Sequence, residues 1–356
     1  MKKVGTITFH WATNYGAVLQ AYALQMFLKQ SGFETEIINY LPLQSMALRK
    51  IDWIRRYDFD AIKKERAIQR FREKNLTVSA AKYRSYKALC SAEDSYCAIL
   101  SGSDQVMNFS FLQHAERWKM TPSYYLSFAG EETRKIAYAA SFGTDKIPGA
   151  YADFVKKELA SFSWVSVREE SACTMLKDIG IDSEMVVDPT ILVEKETYEP
   201  LIDGENVIRI GAFSYILHKN QEDAHRCESK VFEMFGEKQT ATGDYSVENW
   251  LRNIRSSAFV LTNSFHATVF ALLFHTPFIT VSVGGSNMDN RLLTLLNMVG
   301  LEDRFVKTYD ESTIDTLLHR DVNWKDVDER MCAARERSQR KLLKALNYQR
   351  DNCVWS

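Results

Sequence analysis

An apolar stretch between residues 258 and 282, broken by one polar turn, constrains the fold of this chain more than any other part of its sequence. A strand-like run, Ala258–Thr262, precedes the turn; a helical apolar segment, Thr268–Phe274, follows it before a second β-rich run, Phe278–Ser282. Continuous apolar runs of this length, joined through one helix, are typical of a βαβ unit buried on both faces. The stretch therefore predicts an α/β domain built on a parallel sheet.

The polar turn inside that stretch, Asn263–Ala267, is a candidate site. Ser264 can cap the following helix, whose free N–H groups would point from the carboxyl edge of the sheet, where open α/β sheets bind anions. His266 would lie in the first helical turn. Position alone leaves two interpretations open: a histidine that bonds within the core, or a general acid beside an anion site. We find no other histidine at a comparable strand-to-helix junction.

Length and charge limit the classes of protein that the chain can belong to. With 356 residues, of which 46% are apolar and 26% charged, it can bury two cores of ordinary size. Lys and Arg number 45 against 46 Asp and Glu, so we expect no nucleic-acid partner. His275 and Pro277 break the longest apolar run, and polar residues interrupt the N-terminal segment. We therefore expect neither a membrane span nor a signal peptide, and a cytoplasmic location.

The cysteines and histidines show no metal-ligand spacing. The six cysteines form no C-x-x-C pair, and the seven histidines form no H-x-x-x-H or H-E-x-x-H motif. We therefore expect reduced thiols, no metal and no cofactor.

The chain opens with a strand, a loop, a helix and a second strand. The strands are Val4–Phe9 and Glu34–Asn39, and the helix is Gly16–Gln30, ended by Ser31 and Gly32. The loop between the first strand and the helix, from His10, lacks the G-x-G-x-x-G fingerprint of dinucleotide sites. It is a candidate binding loop of another kind.

Two later loops follow strands in the same way. The strand Tyr96–Leu100 leads into Ser101–Asn108, a turn rich in side-chain donors and acceptors. The strand Trp164–Val167 leads into Arg168, which we place at a helix N-terminus, where its charge opposes the macrodipole. Either a salt bridge to one of the two following glutamates, or an anion that the arginine binds, would explain it.

A basic helical insertion is predicted at about residues 45–75. It is either the solvated face of an amphipathic helix pair or a surface for anionic lipid or a lipid-linked diphosphate. The charged segment 194–205 indicates a domain boundary. We therefore expect an N-terminal domain over residues 1–195, a C-terminal domain over 205–320, and a helical segment, 321–356, that packs back on the first domain.

Several motifs stand at the predicted turns and strand ends: Asn14–Leu24, Ser101–Gln105, Tyr138–Gly143, Val165–Glu169, Asp188–Thr190, Thr262–His266 and Asn290–Arg291. In this order, between about residues 4 and 300, they resemble the polysaccharide pyruvyl transferase family. The chain departs from the family pattern at Ala267, where glycine is common, and at Met107, where tryptophan is common.

The resemblance implies a fold similar to that of GT-B glycosyltransferases, with two Rossmann-like domains facing each other across a cleft. It implies phosphoenolpyruvate as donor and a saccharide diol as acceptor, giving a pyruvate ketal and inorganic phosphate in surface or capsular polysaccharide biosynthesis. If the basic insertion meets lipid, the acceptor would be lipid-linked and the protein would touch the inner membrane surface.

Phosphoenolpyruvate is an anion that becomes electrophilic at C2 only after C3 is protonated, so its site needs fixed positive charge and one acid. Arg168 and Arg291 offer forked donors for carboxylate and phosphate, and the helix N-terminus after Ser264 offers N–H groups. His266, held cationic by the donor, would protonate C3, and Asp104 would take a hydroxyl proton from the acceptor. We place the acceptor against the N-terminal domain, at Asn14, Tyr15, Ser103 and Gln105.

Two alternatives from other classes stay open. A GT-B-type sugar-nucleotide glycosyltransferase would need an acidic partner for a ribose, and we find none beside the loop Gly284-Gly285. Binding of a UDP- or GDP-sugar would favour that alternative. A non-catalytic saccharide-binding member of the family would turn over no phosphoenolpyruvate with any glycan.

Overall fold

The structure, a computed structural model, describes residues 3–42, 57–91, 96–109, 122–202, 208–217, 222–238, 240, 243–284 and 288–347. The chain divides into two compact units: unit 1 is Met1–Val193 with Arg335–Ser356, and unit 2 is Glu194–Ala334. Residues 45–56 of the predicted insertion lie outside the described residues, as does Gly285.

Unit 1 is built on a seven-stranded parallel sheet in the order β3-β2-β1-β4-β5-β6-β7. Its strands are β1 Lys3–Ile7, β2 Glu34–Tyr40, β3 Val78–Tyr83, β4 Tyr96–Ser101, β5 Arg134–Ala140, β6 Trp164–Val167 and β7 Glu184–Met185. Helices cover both faces of such a sheet, so side chains on both sides of its central strands are buried. On one face, Ile7, Ile38 and Ile99 belong to a single hydrophobic cluster.

The helices of unit 1 are α1 Tyr15–Gln30, α2 Phe59–Asn75, α3 Tyr86–Cys90, α4 Gly149–Leu159, α5 Glu170–Asp178 and α6 Pro189–Leu192. Helix α1 begins where the side chain of Asn14 accepts the N–H of Ala17. It ends before Gly32, whose φ of 84° is a left-handed conformation that glycine adopts without strain. The predicted strand-loop-helix-strand opening is therefore confirmed.

Part of the predicted helical insertion is a regular connection between two strands of the sheet. Helix α2 is the crossover between the adjacent parallel strands β2 and β3, so the prediction of an insertion is corrected here. Strand β3 was not predicted, because its sequence V-S-A-A-K-Y is small and polar, with most side chains outside the core. It lies at the edge of the sheet, where such a sequence is tolerated.

The strand order of unit 1 reverses between β1 and β4, which pair side by side at the centre of the sheet. The chain runs outward from β1 through β2 to β3 and, on the other side, from β4 to β7. Ligands of open α/β sheets bind at the carboxyl ends of the strands at such a reversal. The loops after β1 and β4 are therefore the expected binding loops of unit 1.

Unit 2 holds a four-stranded parallel sheet in the order β11-β10-β9-β8. Its strands are β8 Ala212–Tyr215, β9 Phe259–Thr262, β10 Phe278–Val281 and β11 Phe305–Val306, and its helices are α7 Glu222–Phe235, α8 Val247–Arg255, α9 Phe265–Leu273, α10 Met288–Val299 and α11 Glu311–His319. The βαβ unit predicted from residues 258–282 is β9-α9-β10, with Val260 paired to Phe278. That prediction is confirmed.

Helix α12, Trp324–Asn347, begins in unit 2 and continues as part of unit 1 from Arg335 onward. In unit 1, Arg335 Nε donates to the carbonyl of Ile191 at 2.8 Å, and Ser338 Oγ accepts the N–H of Val187 at 3.1 Å. These bonds fix the end of the helix on the segment that follows β7. Within the described parts of the chain, no helix is long and apolar enough to span a bilayer.

Candidate functional site

The loops after β1 and β4 lie side by side at the carboxyl edge of unit 1. The N–H of Gly102 donates to the carbonyl of Ile7 at 2.9 Å, and Thr8 Oγ1 donates to the carbonyl of Ser103 at 2.8 Å. A Cβ atom on Gly102 would lie 3.1 Å from Cβ of Thr8, so the close approach favours glycine here. The structure thus brings together two of the loops that the sequence singled out.

The loop after β5 joins the same edge. The N–H of Ser141 donates to the carbonyl of Asp104 at 3.0 Å, and the N–H of Met107 donates to the carbonyl of Ser141 at 3.1 Å. Asp104 has a φ of 88°, a conformation that costs energy in a residue with a side chain. Strained backbone of this kind is concentrated at functional sites, because the surrounding structure must hold it.

Arg168 lies in a buried ion-pair network. Its Nη1 is 2.6 Å from Oδ2 of Asp188, and its Nε is 3.5 Å from Oε1 of Glu169. Burial acts against the charge, but the carboxylates, chiefly that of Asp188, raise the pKa of Arg168. Arg168 was predicted to lie at the start of a helix. In the structure α5 begins at Glu170 with Glu169 as its N-cap, so Arg168 lies two residues before the helix. Of the two interpretations of Arg168, the salt bridge is present, with Asp188 as the main partner.

Ser103, predicted to touch the acceptor, is fully buried. Its hydroxyl donates to Oδ2 of Asp188 at 2.9 Å and accepts from Nη1 of Arg168 at 3.4 Å. This hydroxyl therefore holds the loop to the ion pair instead of facing a ligand, and the prediction is corrected. A local reading of the turn could not find the bond, because Ser103 and Asp188 are 85 residues apart.

The other predicted acceptor residues differ in exposure. Asn14 is exposed and caps α1, whereas Tyr15 is buried and its ring lies under the ammonium of Lys64, 4.4 Å from Nζ to the ring centroid. Gln105 is half-buried, and its Oε1 accepts from Nδ2 of Asn108 at 2.8 Å. The half-buried carboxylate of Asp104 accepts the N–H of Gln105 through Oδ1 at 2.8 Å.

A histidine that was not predicted as a site residue, His10, also lies at this edge. His10 follows β1, its side chain is buried, and its Nδ1 lies 3.1 Å from the carbonyl oxygen of Thr8. Burial, opposed by the bond to Thr8 and helped by the nearby charge of Arg72, lowers the pKa of His10 to about 4, so the ring is neutral at pH 7. The expectation that His266 alone occupies a strand-to-helix junction is therefore wrong. The signal was present, since His10 follows the first apolar run directly.

In unit 2, Ser264 begins α9 as predicted. Its Oγ accepts the N–H of Ala267 at 3.4 Å, and its own N–H donates to Oγ1 of Thr262 at 3.0 Å. His266 is the second residue of the helix and packs edge-on against the ring of Phe265, with ring centroids 5.2 Å apart. The imidazole therefore sits at the helix N-terminus, where the macrodipole and the free N–H groups favour an anion.

Asn263 fixes the position of that N-terminus. Its side chain is fully buried, its Oδ1 accepts the N–H of Leu217 at 2.7 Å, and its Nδ2 donates to the carbonyl of Leu217 at 2.6 Å. These two bonds join the end of β8 to the start of α9. Sequence reasoning included Asn263 in a motif but gave it no role.

The strand order of unit 2 reverses at β8. Ala212 of β8 pairs with Phe259 of β9 on one side and bridges Glu237 on the other, both in parallel. The segment after β8 therefore goes to one side and β9 to the opposite side. This is the place where open α/β sheets bind ligands, and His266 lies there.

Arg291 lies in the first turn of α10, which begins at Met288. Its side chain is buried. Asp289 ties this turn to β10, because its carboxylate accepts from Oγ of Ser282 at 2.6 Å and from the N–H of Val283 at 2.9 Å. Of the predicted site residues, the structure places Ser264, His266 and Arg291 in unit 2 and the others in unit 1.

A cavity of about 260 Å³ opens at the carboxyl edge of unit 2. Among the residues that line it are Glu222, Asp223, Ser282, Gly284 and Lys307. The sequence indicated no acidic ribose partner beside Gly284, but the start of α7 brings two carboxylates to the same cavity from about sixty residues earlier in the chain. In the described ranges, no group of three His, Cys, Asp or Glu side chains is arranged to hold a metal ion.

Comparison with protein families identifies the family of the chain. A family model described as polysaccharide pyruvyl transferase matches residues 14–285. A search of curated proteins finds no match.

Solved structures resemble the chain over its whole length at low sequence identity. UDP-GlcNAc 2-epimerase from Methanocaldococcus jannaschii matches with a TM-score of 0.56 and 11% identity, covering 98% of this chain and 100% of that one. S. aureus MnaA with UDP matches with a TM-score of 0.53 and 10% identity, covering 100% of this chain and 99% of that one. Anabaena HepE with UDP and glucose matches with a TM-score of 0.51 and 10% identity, covering 98% of this chain and 100% of that one. The predicted α/β fold with two Rossmann-like domains, similar to GT-B glycosyltransferases, is confirmed.

Proposed function

The chain belongs to the polysaccharide pyruvyl transferase family, and from that membership we propose that it transfers pyruvate from phosphoenolpyruvate to two hydroxyls of a saccharide. The observation that carries the proposal is the position of His266, in the first turn of α9 where the strand order of unit 2 reverses. An acid beside an anion-binding helix N-terminus is what protonation of this donor requires.

Unit 2 supplies the donor site in this proposal. The N–H groups of the turn capped by Ser264 bind one anionic group of phosphoenolpyruvate, and the guanidinium of Arg291 binds another. Arg168 was also predicted to bind the donor, and that role stays a prediction, because Asp188 and Glu169 already balance its charge inside unit 1. Asn263 holds the turn and does not touch the donor.

The reaction begins with a proton from the imidazolium of His266 to C3 of the donor, which makes C2 electrophilic. One acceptor hydroxyl forms a C–O bond to C2 and releases its proton to Asp104. The bond from C2 to the phosphate oxygen then breaks, and a second hydroxyl closes the ketal. Its proton leaves with phosphate or returns to the imidazole, so the products are the pyruvate ketal and inorganic phosphate.

The acceptor lies at the carboxyl edge of unit 1, against the loops after β1 and β4. Asn14 and Gln105 offer amide groups to sugar hydroxyls. The contact with Tyr15 stays a prediction, because this residue is buried and its ring lies beneath Lys64. The carboxylate of Asp104 takes the proton of the sugar hydroxyl. Ser103 is left out of the contact set because its hydroxyl is buried against Asp188.

The direct test is incubation of the protein with phosphoenolpyruvate and a panel of lipid-linked and p-nitrophenyl glycosides, followed by mass spectrometry. The expected product is the acceptor plus pyruvic acid less one water, with release of inorganic phosphate. Reactions without donor, and reactions with the His266→Gln variant, are the controls. A panel that covers neutral, amino and acidic sugars and yields no ketal, while the protein stays folded, contradicts the proposal.

The predicted lipid contact has a matching surface on α2. Phe59 is 63% exposed, and Lys63, Arg66, Arg70 and Lys74 are exposed. Their spacing puts these side chains on one face of the helix, although Asp60 lies 3.7 Å from Nζ of Lys63 and neutralises part of the charge. This face fits the headgroups of anionic lipid and a lipid-linked acceptor.

Vesicle sedimentation tests the lipid contact. We expect salt-sensitive binding to phosphatidylglycerol vesicles and none to phosphatidylcholine, with binding lost in Arg66→Glu/Arg70→Glu. The variant Arg330→Glu, which changes an exposed arginine of α12, is the control. Equal binding of the double variant and the parent to anionic vesicles removes α2 from the contact.

A sugar-nucleotide glycosyltransferase is the second candidate, and the cavity beside Gly284 favours it. The carboxylates of Glu222 and Asp223 can accept hydrogen bonds from the vicinal hydroxyls of a ribose. Thermal-shift measurements with UDP- and GDP-sugars test this candidate. Stabilisation that is lost in Glu222→Gln/Asp223→Asn supports it, and the absence of any shift argues against it.

A further inference from the structure

Side chains on the inward face of α2 bind the backbone of the loop after β1. Arg72 is buried, and its Nη2 donates to the carbonyl oxygens of Trp11 at 2.8 Å and Ala12 at 2.7 Å. A guanidinium is suited to this task because its planar fork presents several N–H donors in fixed directions. One side chain thus fixes two consecutive peptide units of the loop.

Glu65, two helical turns before Arg72, completes the clamp. Its Oε1 lies 3.1 Å from Nη1 of Arg72, and its Oε2 accepts from the hydroxyl of Thr13. Nη1 also donates to Oε1 of Gln69 at 3.0 Å. Both members of the ion pair are buried, so each charge depends on the other and on the loop for compensation.

The clamp ends where the predicted acceptor residues begin. Asn14 caps α1 directly after Thr13, and Tyr15 lies beneath the ammonium of Lys64 on the same helix. Burial lowers the pKa of Lys64, in keeping with a lysine covered by this packing. Side chains of α2 therefore contact every residue from 11 to 13 and then residue 15.

Attachment of α2 to the unit does not by itself require these polar bonds. The ring of Phe71 packs edge-on against Tyr22 of α1, with centroids 6.0 Å apart, and Ile68 is fully buried. Apolar contacts of this kind dock a crossover helix. The buried polar groups of α2 are directed at one short segment, which lies at the carboxyl end of the central strand.

We propose that Arg72 and Glu65 are positioning residues of the acceptor site, which hold the backbone of residues 11–14 so that Asn14 meets the sugar. This proposal rests on the proposed function only for the identity of the ligand, a sugar, at the carboxyl edge of unit 1. Neither residue touches the donor or the reacting atoms. Their effect is on how well the acceptor is bound and oriented.

Hydrogen exchange of the ligand-free protein tests the clamp without reference to any reaction. The N–H of Ala12 bonds to the carbonyl of Phe9 at 3.0 Å, and that of Asn14 bonds to Ala12 at 2.8 Å. In Arg72→Met we expect faster exchange at these two amides and unchanged exchange in the strands of unit 2. Arg340→Met, which removes one member of an exposed pair with Glu336, is the control.

Arg72→Met leaves Glu65 charged and buried, and the variant could fail to fold for that reason alone. The double variant Glu65→Leu/Arg72→Met removes both charges, keeps an apolar interior, and should fold while releasing the loop. Unchanged exchange at residues 12 and 14 in the folded double variant overturns the proposal.

Steady-state kinetics separates positioning from general stability. We expect the acceptor KM of the double variant to rise about ten- to a hundredfold, with kcat at saturating acceptor and the KM for phosphoenolpyruvate near parental values. Arg72→Lys keeps the charge but not the fork and should be intermediate. An unchanged acceptor KM in a variant whose loop exchanges faster overturns the positioning role. If the parent transfers no pyruvate, the proposed function fails, and the exchange result still decides the clamp.

Discussion

Arg168 and Asp188 form an ion pair at the carboxyl edge of unit 1, with Nη1 of the arginine 2.6 Å from Oδ2 of the aspartate and both side chains buried. Removing one partner leaves the other charge buried, so we expect Arg168→Met or Asp188→Asn to lose about 3–5 kcal/mol of unfolding free energy. Urea denaturation measures this. Arg340→Met, at the exposed pair with Glu336, should lose less than about 0.5 kcal/mol.

That expectation changes how a donor role for Arg168 can be tested. From the sequence, an alanine variant would weaken donor binding and leave the fold intact; the ion pair makes loss of stability the first effect. A loss below about 1 kcal/mol in both variants would show that the pair contributes little, and the donor role would regain support.

Arg291 is the better test of donor binding, since it shares unit 2 with Ser264 and His266. We expect Arg291→Ala to weaken phosphoenolpyruvate binding by about 1.5–3 kcal/mol, the range for a hydrogen bond to a charged group. Isothermal titration calorimetry measures the affinity, and circular dichroism checks the fold. Arg330→Ala, at an exposed site of α12, should bind like the parent. Parental affinity in Arg291→Ala removes this residue from the donor site.

Local sequence signals predicted the elements that local physics determines. The β9-α9-β10 unit was found because its apolar runs must be buried on both faces, and the cap at Ser264 because the residue type and the next helix are adjacent. The family resemblance was carried by turns of this kind, and the match over residues 14–285 confirms it.

Pairings between distant residues were beyond those signals. Asp188 reaches Arg168 across 20 residues and Ser103 across 85, so neither bond leaves a pattern in the sequence. Strand β3 was missed because an edge strand needs few apolar side chains. Glu65 and Arg72 looked like part of a solvated charge run, since only the packing shows which charges of a basic helix turn inward.

Asp104 is expected to accept the hydroxyl proton of the acceptor. Asp104→Asn keeps the shape of the side chain and suits the positive φ of 88°, so the fold should be retained. Loss of a general base typically costs about a hundred- to ten-thousandfold in rate, and we expect kcat to fall within that range. A variant with the parent's kcat and acceptor KM would exclude this loop from the site.

Buried His10 makes stability depend on pH. Its pKa is about 4 in the folded chain against an ordinary value of 6.5, so the unfolded chain binds the proton more readily. The contribution of neutral His10 is therefore complete above about pH 6.5 and is lost as the pH falls to about 4, a change of about 3 kcal/mol. Urea denaturation between these limits should show a shallower pH dependence in His10→Asn. His225→Gln, at an exposed histidine, is the control and should keep the parental dependence of stability on pH. A parental pH dependence in His10→Asn would show that the ring of His10 is accessible to protons.

His266 is expected to be the general acid, because it stands at the N-terminus of α9 among the groups that would bind the donor. Replacing the ring with a neutral amide leaves the capped helix and its N–H groups in place, so the donor should bind with parental affinity. Turnover should fall by about a hundred- to ten-thousandfold in His266→Gln, the usual cost of removing a general acid. His275→Gln is the matched control in unit 2, since that ring stacks on Trp324 and pairs with Asp328 outside the site. Calorimetry and single-turnover phosphate release separate binding from chemistry. A near-parental rate in His266→Gln would return His266 to a structural role at the start of the helix.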